Sequence, residues 1–261
     1  MNGTIDKTIQ LSGAIVLYNE NPDELSKTID SFLEIPLSKK LFLFDNLPND
    51  GLKDCFIHPD IIYHNTKKNI GFGSAHNLAI PHIKNQSAYH LILNPDVVFK
   101  GEDLPRLIEA MNAEKNCALI APGVRYPDGS HQYTCRKFPT PFDLLGRVIP
   151  LLGHISKRRI AEREYRHKDL TKPFYPDFIH GCFMLFRTAD FIAINGFDPR
   201  YFLYMEDADI CKKLDAKHQK RLYFPDVTIS HIYKRKSRTN PKLMWYHSIS
   251  ALKYFLKWRG K

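Results

Sequence analysis

Three acidic residues, Glu206, Asp207 and Asp209, stand within four positions, after the aromatic run Tyr201-Phe202-Leu203-Tyr204 and before a helical pattern. A helix beginning near Asp207 presents unpaired N–H groups and a positive dipole end, which favour local negative charge. An acidic N-terminal cap is one reading of the cluster. The other is a carboxylate at the mouth of a pocket acting as a general base, with exposed Glu206 and Asp209 orienting it or the attacking molecule. Asp209 stays open to both readings. A second chemical stretch, Asn94-Pro95-Asp96, ends the apolar run Tyr89-His90-Leu91-Ile92-Leu93. A carboxylate beside a turn-fixing proline at the end of a buried strand suits Mg²⁺ or Mn²⁺ held against a diphosphate. A plain Asn-Pro-Asp turn is the alternative. A third stretch runs from Asn69 through Gly71, Phe72 and Gly73 to Asn77. Two glycines before a helical run let backbone approach a ligand closely, or simply make a helix-entry turn. It lacks the Gly-Lys-Ser/Thr ending of a Walker loop, and no GxGxxG follows the first strand.

The elements that must position these residues read as strands alternating with helices. Leu11–Tyr18 is a nearly continuous apolar run, as in a strand buried on both faces, and it ends at Tyr18-Asn19-Glu20. Asn21 then caps a helix with Pro22 first and Glu24 as the capping-box partner, its apolar face being Leu25, Ile29, Phe32 and Leu33. Leu41–Phe44 leads into Asp45-Asn46, and Ile61–His64 into Asn65. Strand, helix, strand, helix, strand predicts an α/β fold with a doubly wound, mostly parallel sheet, whose ligands sit beyond the carboxyl ends of the strands. Further strands are expected at Ala118–Val124, Asp177–Gly181, Leu222–Phe224 and Val227–Ile229, with a hairpin turn at Tyr126–Ser130. Arg136-Lys137-Phe138-Pro139 leads to Phe142 and the apolar residues Leu144, Leu145, Val148, Ile149, Leu151 and Leu152. That stretch reads as a surface helix, or as a lip near a membrane with Arg136 on an acceptor diphosphate. His180 reads as a core histidine or a site residue, and Cys182 as small packing.

The chain has 261 residues and a net charge of +10, enough for one full core with an appended segment. The charge is uneven: nine Lys and Arg and no acidic residue follow Asp226. Lys234-Arg235-Lys236-Ser237-Arg238 precedes a helical pattern opened by Asn240-Pro241, with Trp245, Ile249, Leu252, Phe255 and Leu256 on one face and Lys253 and Lys257 off it. Such a basic amphipathic helix suits an anionic membrane surface, or packs on the preceding domain. No stacking or groove-reading motif supports nucleic acid. Five cysteines without CxxC spacing argue against a disulfide framework or zinc site and point to a reducing, cytoplasmic compartment. No apolar run approaches a bilayer span, and the N-terminus lacks a secretory pattern.

In order along residues 11 to 231, the pieces Val16-Leu17-Tyr18-Asn19, Asp45-Asn46 with Asp50, Asn69 to Asn77, Leu93-Asn94-Pro95-Asp96-Val97, His180-Gly181-Cys182-Phe183-Met184-Leu185, Gly196-Phe197-Asp198, Phe202 to Ile210 and His231 resemble a family 2 glycosyltransferase of GT-A fold, in its bacterial rhamnosyltransferase-like branch. The resemblance implies a catalytic domain over 1–232, with a nucleotide-sugar half to about residue 100 and an acceptor half from 101, followed by a basic tail over 233–261. It implies that Asp45 with Tyr18, Asn19, Glu20 and Asn46 reads the base and ribose, and that Asn69, Gly71, Phe72 and Asn77 close over the nucleotide. Asn94 and Asp96 occupy the metal-binding DxD position, with Asn in place of the first Asp, and His231 matches a second metal ligand. His180 and Gly181 fall on the acceptor side, and Asp207 matches the general base of an inverting displacement. The implied reaction moves a sugar, L-rhamnose from dTDP-rhamnose, to a lipid-linked glycan precursor at the inner face of the cytoplasmic membrane. A UDP-hexose donor and a non-catalytic glycan-assembly subunit are the alternatives. A sugar nucleotidyltransferase is disfavoured, because no GxGxRxxP signature follows the first strand.

Overall fold

The computed structural model describes residues 9–49, 51–143, 153–232 and 240–260. Asp50, the apolar residues Leu144 to Leu152 and the basic run Lys234 to Arg238, all singled out above, lie outside the described residues. The strands are β1 (Ile9–Leu17), β2 (Lys39–Asp45), β3 (Ile61–Asn65), β4 (Ser87–Leu93), β5 (Val97–Val98), β6 (Cys117–Arg125), β7 (Cys135–Arg136), β8 (Phe178–Ile179), β9 (Phe183–Arg187) and β10 (Lys220–His231). The helices are α1 (Pro22–Leu33), α2 (Phe72–Asn77), α3 (Ile80–Ile83), α4 (Leu104–Ala113), α5 (Gly153–Arg163), α6 (Thr188–Ala193), α7 (Glu206–Asp215) and α8 (Pro241–Lys257).

Eight strands form one sheet in the order β3-β2-β1-β4-β9-β6-β10-β5, and β7 pairs with β8 apart from it. β3, β2, β1 and β4 are mutually parallel. β9 runs antiparallel between β4 and β6, and β5 antiparallel at the edge of β10. The sheet is therefore mixed but mostly parallel, with a core on each face. Along β1, Leu11, Ile15 and Leu17 enter one core with Leu25, Ile29 and Phe32 of α1. Ala14 enters the other, with Phe191 of α6 and Ile210 and Leu214 of α7. This two-sided burial explains why β1 reads as an unbroken apolar run, and each such Leu, Ile or Phe contributes about 1.5–3 kcal/mol on leaving water.

The Asn21 cap forms as its sequence implies, with Oδ1 accepting from the N–H of Asp23 at 2.8 Å and of Glu24 at 3.2 Å. Between β2 and β3 the expected second helix is only a 3-10 turn at Lys53–Cys55, since this short connection lacks a repeating apolar stripe to bury. The two expected strands before His231 are one strand, β10, whose register against β6 shifts between Phe224 and Thr228. Pro225 falls at that shift, where no ladder N–H is required. The tail helix α8 is built into the domain: Ala251 and Tyr254 belong to the core that holds α7.

Candidate active site

Polar residues gather where β1, β2 and β4 end together. Asp45, the last residue of β2, is fully buried. Its Oδ2 accepts from the Tyr63 hydroxyl at 2.6 Å and its Oδ1 from the Leu47 N–H at 3.0 Å. The adjoining Asn46 amide points toward Asn69 Oδ1 (3.4 Å) and the Gly71 carbonyl (3.3 Å), and Asn69 Oδ1 accepts from the Gly71 N–H at 2.9 Å. Asp45, Asn46, Asn69 and Gly71 thus form one hydrogen-bonded floor. Beside it Tyr18 and Asn19 are exposed, Asn19 in the left-handed region at φ 61°, and Glu20 is half-buried.

The glycine stretch makes the helix-entry turn, one of its two sequence readings, with Gly71 capping α2. Gly71 has φ 88°, and a Cβ there would lie 2.4 Å from the Phe202 carbonyl oxygen. The same carbonyl accepts from the Phe72 N–H at 3.1 Å. The close backbone approach is to the loop before α7, so that N–H is spent within the chain. Asn77 likewise clamps that loop: its Oδ1 accepts from the Phe197 N–H at 2.8 Å and its Nδ2 donates to the Phe197 carbonyl at 2.7 Å. Asn77 therefore stands as a brace of the loop, in place of the nucleotide contact expected of it.

Asp96 sits one residue before β5, and the pairing of His231 with Val97 brings the imidazole beside it. His231 Nε2 is 3.2 Å from Asp96 Oδ1, and the Ile232 N–H donates to the Asp96 carbonyl at 2.9 Å. On the other side of the ring, Nδ1 is 2.6 Å from Oε1 of buried Gln132. With that oxygen as acceptor, Nδ1 carries a hydrogen and Nε2 faces the carboxylate. Burial acts to lower the imidazolium, but the Cys182 sulfur and the Asp96 carboxylate outweigh it and push the histidine up to about 10. Asn94 is half-buried, its N–H held by the Cys182 carbonyl at 2.9 Å. Gln132 was not legible in the sequence, which shows no pattern linking it to a histidine 99 positions away.

The third part is the start of α7. Tyr204 and Met205 both have φ 70°, a left-handed pair that turns the chain sharply into the helix. Glu206 and Asp209 are buried, in contrast to the exposure expected of them, while Asp207 is half-open. Burial, and then the charge of Asp207, push Glu206 up to about 8. Asp207 Oδ1 accepts from the Ala208 N–H at 2.8 Å. A Cβ on Gly181 would be 3.6 Å from the Phe72 ring and 3.8 Å from Asp207 Cβ, so the stretch after His180, the α2 entry and the α7 entry converge on one point. His180 is half-buried, its N–H donating to the Thr134 carbonyl at 2.9 Å.

Two residues expected on the acceptor side are otherwise engaged. Asp209 accepts from Tyr201 at 3.1 Å, Trp258 Nε1 at 2.8 Å and Lys257 Nζ at 2.8 Å. Arg136, half-buried on β7, donates to the Tyr133 carbonyl at 3.2 Å and lies 3.7 Å from Glu164. Asp209 is thus neither an exposed positioning group nor merely a helix cap: it anchors α8. Among the described residues no three His, Cys, Asp or Glu converge as a complete metal shell. Asp96 and His231 nevertheless fit a divalent cation that takes its remaining ligands from a diphosphate: one hard oxygen and one imidazole nitrogen face each other, and Asp96 Oδ1 is buried without a well-formed hydrogen bond.

The fold is that of the GT-A glycosyltransferases. The chain is similar to GalNAc-T7, in a crystal structure with UDP, GalNAc and Mn²⁺, at TM-score 0.69 and 16% identity over 95% of this chain and 48% of that one. It spans about half the length of that protein. It is also similar to the mannosyltransferase PcManGT of Pyrobaculum calidifontis, in complex with GDP-Man and Mn²⁺, at TM-score 0.60 and 15% identity over 96% and 70% of the two chains. The chain belongs to glycosyl transferase family 2, whose model matches residues 12–192, and it is a glycosyltransferase. A second model, described as the N-terminal domain of galactosyltransferase, matches residues 167–238. Among curated proteins the chain is 28% identical to rhamnosyltransferase WbbL of Escherichia coli K12, over 94% of this chain and 92% of that one. It is 26% identical to the N-acetylglucosaminyl-diphospho-decaprenol L-rhamnosyltransferase of Mycobacterium tuberculosis, over 83% and 74%.

Proposed function

We propose that the protein is an inverting rhamnosyltransferase that moves L-rhamnose from dTDP-rhamnose to a lipid-linked glycan precursor at the inner face of the cytoplasmic membrane, in the synthesis of a cell-surface polysaccharide. The observation that carries the reading is that two consecutive residues border both groups: Cys182 lies beside the Asp96–His231 pair and Gly181 beside the half-open Asp207. The names of the two rhamnosyltransferase relatives support rhamnose as the sugar, and the diphospho-decaprenol in the second supports a lipid-linked acceptor.

In this reading the floor around Asp45, with Tyr18, Asn19, Glu20, Asn46, Asn69, Gly71 and Phe72, receives the nucleotide. Asp96 and His231, with Asn94 beside them, hold Mg²⁺ or Mn²⁺, as the Mn²⁺ in both structural neighbours supports. The metal, when bound, supplies positive charge against the departing diphosphate. Asp207 takes the proton from the acceptor hydroxyl as its oxygen attacks the anomeric carbon. The new C–O bond forms as the bond to the diphosphate oxygen breaks, the nucleoside diphosphate leaves with the electron pair, and the configuration inverts. Glu206, protonated beside Asp207, keeps that carboxylate from facing a second negative charge. His180 and Gly181 border the acceptor. The excess of basic residues after Asp226 draws the enzyme to an anionic surface.

Hydrolysis of a panel of nucleotide sugars by the purified protein, with Mg²⁺, Mn²⁺ or chelator, tests this. Metal-dependent turnover of dTDP-rhamnose, lost in Asp96→Ala, is the expected result. Turnover of a UDP-hexose alone overturns the donor, and no binding of any nucleotide sugar or nucleoside diphosphate overturns the enzymatic reading of the site.

A further inference from the structure

α8 has two unlike faces. The inward one grips the loop that delivers Asp207. Phe202 packs on Tyr246 with ring centroids 4.7 Å apart, and Tyr204 on His247 at 5.4 Å. Ser250 Oγ donates to the Leu203 carbonyl at 2.8 Å, and Lys253 Nζ to the Arg200 carbonyl at 2.8 Å. Lys257 reaches Asp198 at 2.7 Å and Asp209 at 2.8 Å. A helix of this kind ordinarily turns its apolar stripe to the core and its charges to water. Here Ser250, Lys253 and Lys257 share the inward side with the core residues Ala251 and Tyr254, while Met244, Trp245, Leu252 and Leu256 face outward at 54%, 64%, 61% and 63% exposure. Residues 245, 252 and 256 are spaced by seven and four, so they fall along one line of the helix.

We propose that this outward stripe is the surface by which the enzyme seats on an anionic bilayer, so that the Asp207 loop is held at a set position relative to the lipid. The inference rests on the membrane-side reading of the function and names the groups that enter the lipid. Charge decides the occupant. Of the nine basic residues after Asp226, Lys257 is turned inward. Lys253 also turns to the protein, through the Arg200 carbonyl, while Lys242 at the start of the helix and Arg259 just past its end stand exposed at the two ends of an apolar line with no acidic neighbour in sequence. Apolar insertion combined with lysine and arginine at the headgroup level is the signature of an interfacial helix, and tryptophan is favoured at that depth. A partner protein with an apolar groove would have no need of these flanking cations or of the basic bias of the sequence after Asp226.

The test uses the full chain and vesicles of phosphatidylcholine with or without phosphatidylglycerol. The intact protein is expected to sediment with the anionic vesicles, to be released as ionic strength rises, and to show a blue-shifted tryptophan emission that is absent in Trp245→Phe. The triple variant Trp245→Ser, Leu252→Ser, Leu256→Ser, altered only at exposed positions, is expected to lose vesicle partition by about tenfold or more. Its donor hydrolysis in vesicle-free solution should be unchanged. Equal partition of both proteins, or none by the intact chain, overturns the proposal. So does a dimeric intact protein that the triple variant makes monomeric without any vesicle binding, which would assign the stripe to a second copy. Vesicle binding needs no nucleotide sugar, so a wrong donor or base assignment leaves this result standing.

Discussion

Asp207 and Asp209 lie two residues apart in the first turn of α7, and their surroundings are opposite. Asp209 is sealed from solvent, its oxygens taken by a tyrosine, an indole and an ammonium. Asp207 is half-open, bonded to the N–H of Ala208 and facing the point where Gly181 and Phe72 meet. The same contrast separates Asp198, paired with Lys257 and Arg200, from Asp96, which faces one imidazole across 3.2 Å. A carboxylate whose lone pairs are spent on fixed donors holds structure together. One that keeps lone pairs toward a cleft can bind a cation or take a proton.

The sharpest way to break this comparison is at Asp207. Asp207→Asn should lower sugar transfer by about 10²–10⁴-fold while leaving nucleoside diphosphate binding and Tm near wild type; a variant retaining wild-type turnover would remove Asp207 from the base role. Asp209→Asn should do the reverse, because the partly buried Lys257 ammonium loses one of its two carboxylate partners and keeps Asp198. We expect a loss of about 3 kcal/mol, read from the denaturant midpoint, and a fully stable but inactive protein would contradict the assignment.

At the sheet edge, Gln132→Leu frees the His231 ring to turn and should weaken Mn²⁺ binding about 10–100-fold. Mn²⁺ must also displace the proton that His231 holds up to about 10. Affinity should therefore rise with pH across the neutral range, with proton release visible in calorimetry as a dependence on buffer ionisation enthalpy; an affinity flat with pH would count against His231 as a ligand. The smallest effect is at Glu206, whose folded-state value lies at about 8 against an ordinary 4.5. Its raised value favours the protonated fold, so its contribution is full below about 4.5 and is lost as pH rises through about 8. Glu206→Gln should remove that slope and raise stability at pH 8 relative to the native protein, measured by denaturation at several pH values.

Much of this was legible in the residues. The apolar runs of β1, β2 and β4 marked buried parallel strands, and Asn21-Pro22 marked the start of α1 through a local hydrogen bond. Asp45, Asp96 and Asp207 could be singled out because each stands where a strand or loop ends in polar residues. Asp209 could not be told from Asp207, since both are acidic residues of one helical turn and their difference comes from α8, 32 or more positions further on. The glycines at 71 and 73 announced a close approach, but what they approach, the Phe202 carbonyl and the Phe197 side chain, belongs to a distant loop.

Sequence alone determined what local physics governs: strand and helix periodicity, the caps, the basic bias after Asp226, and which side chains have the chemistry to ligate a cation or take a proton. The tertiary structure decided which of those side chains stay available. That choice depends on contacts between residues far apart in the chain: β5 against β10 joins Asp96 to His231, Gln132 orients the ring, and α8 consumes Asp209. It also decided that α8 turns its apolar line outward, because the buried partners of Lys257 and Ser250 lie on the loop before α7, and the opposite face of the helix must then point away from the domain.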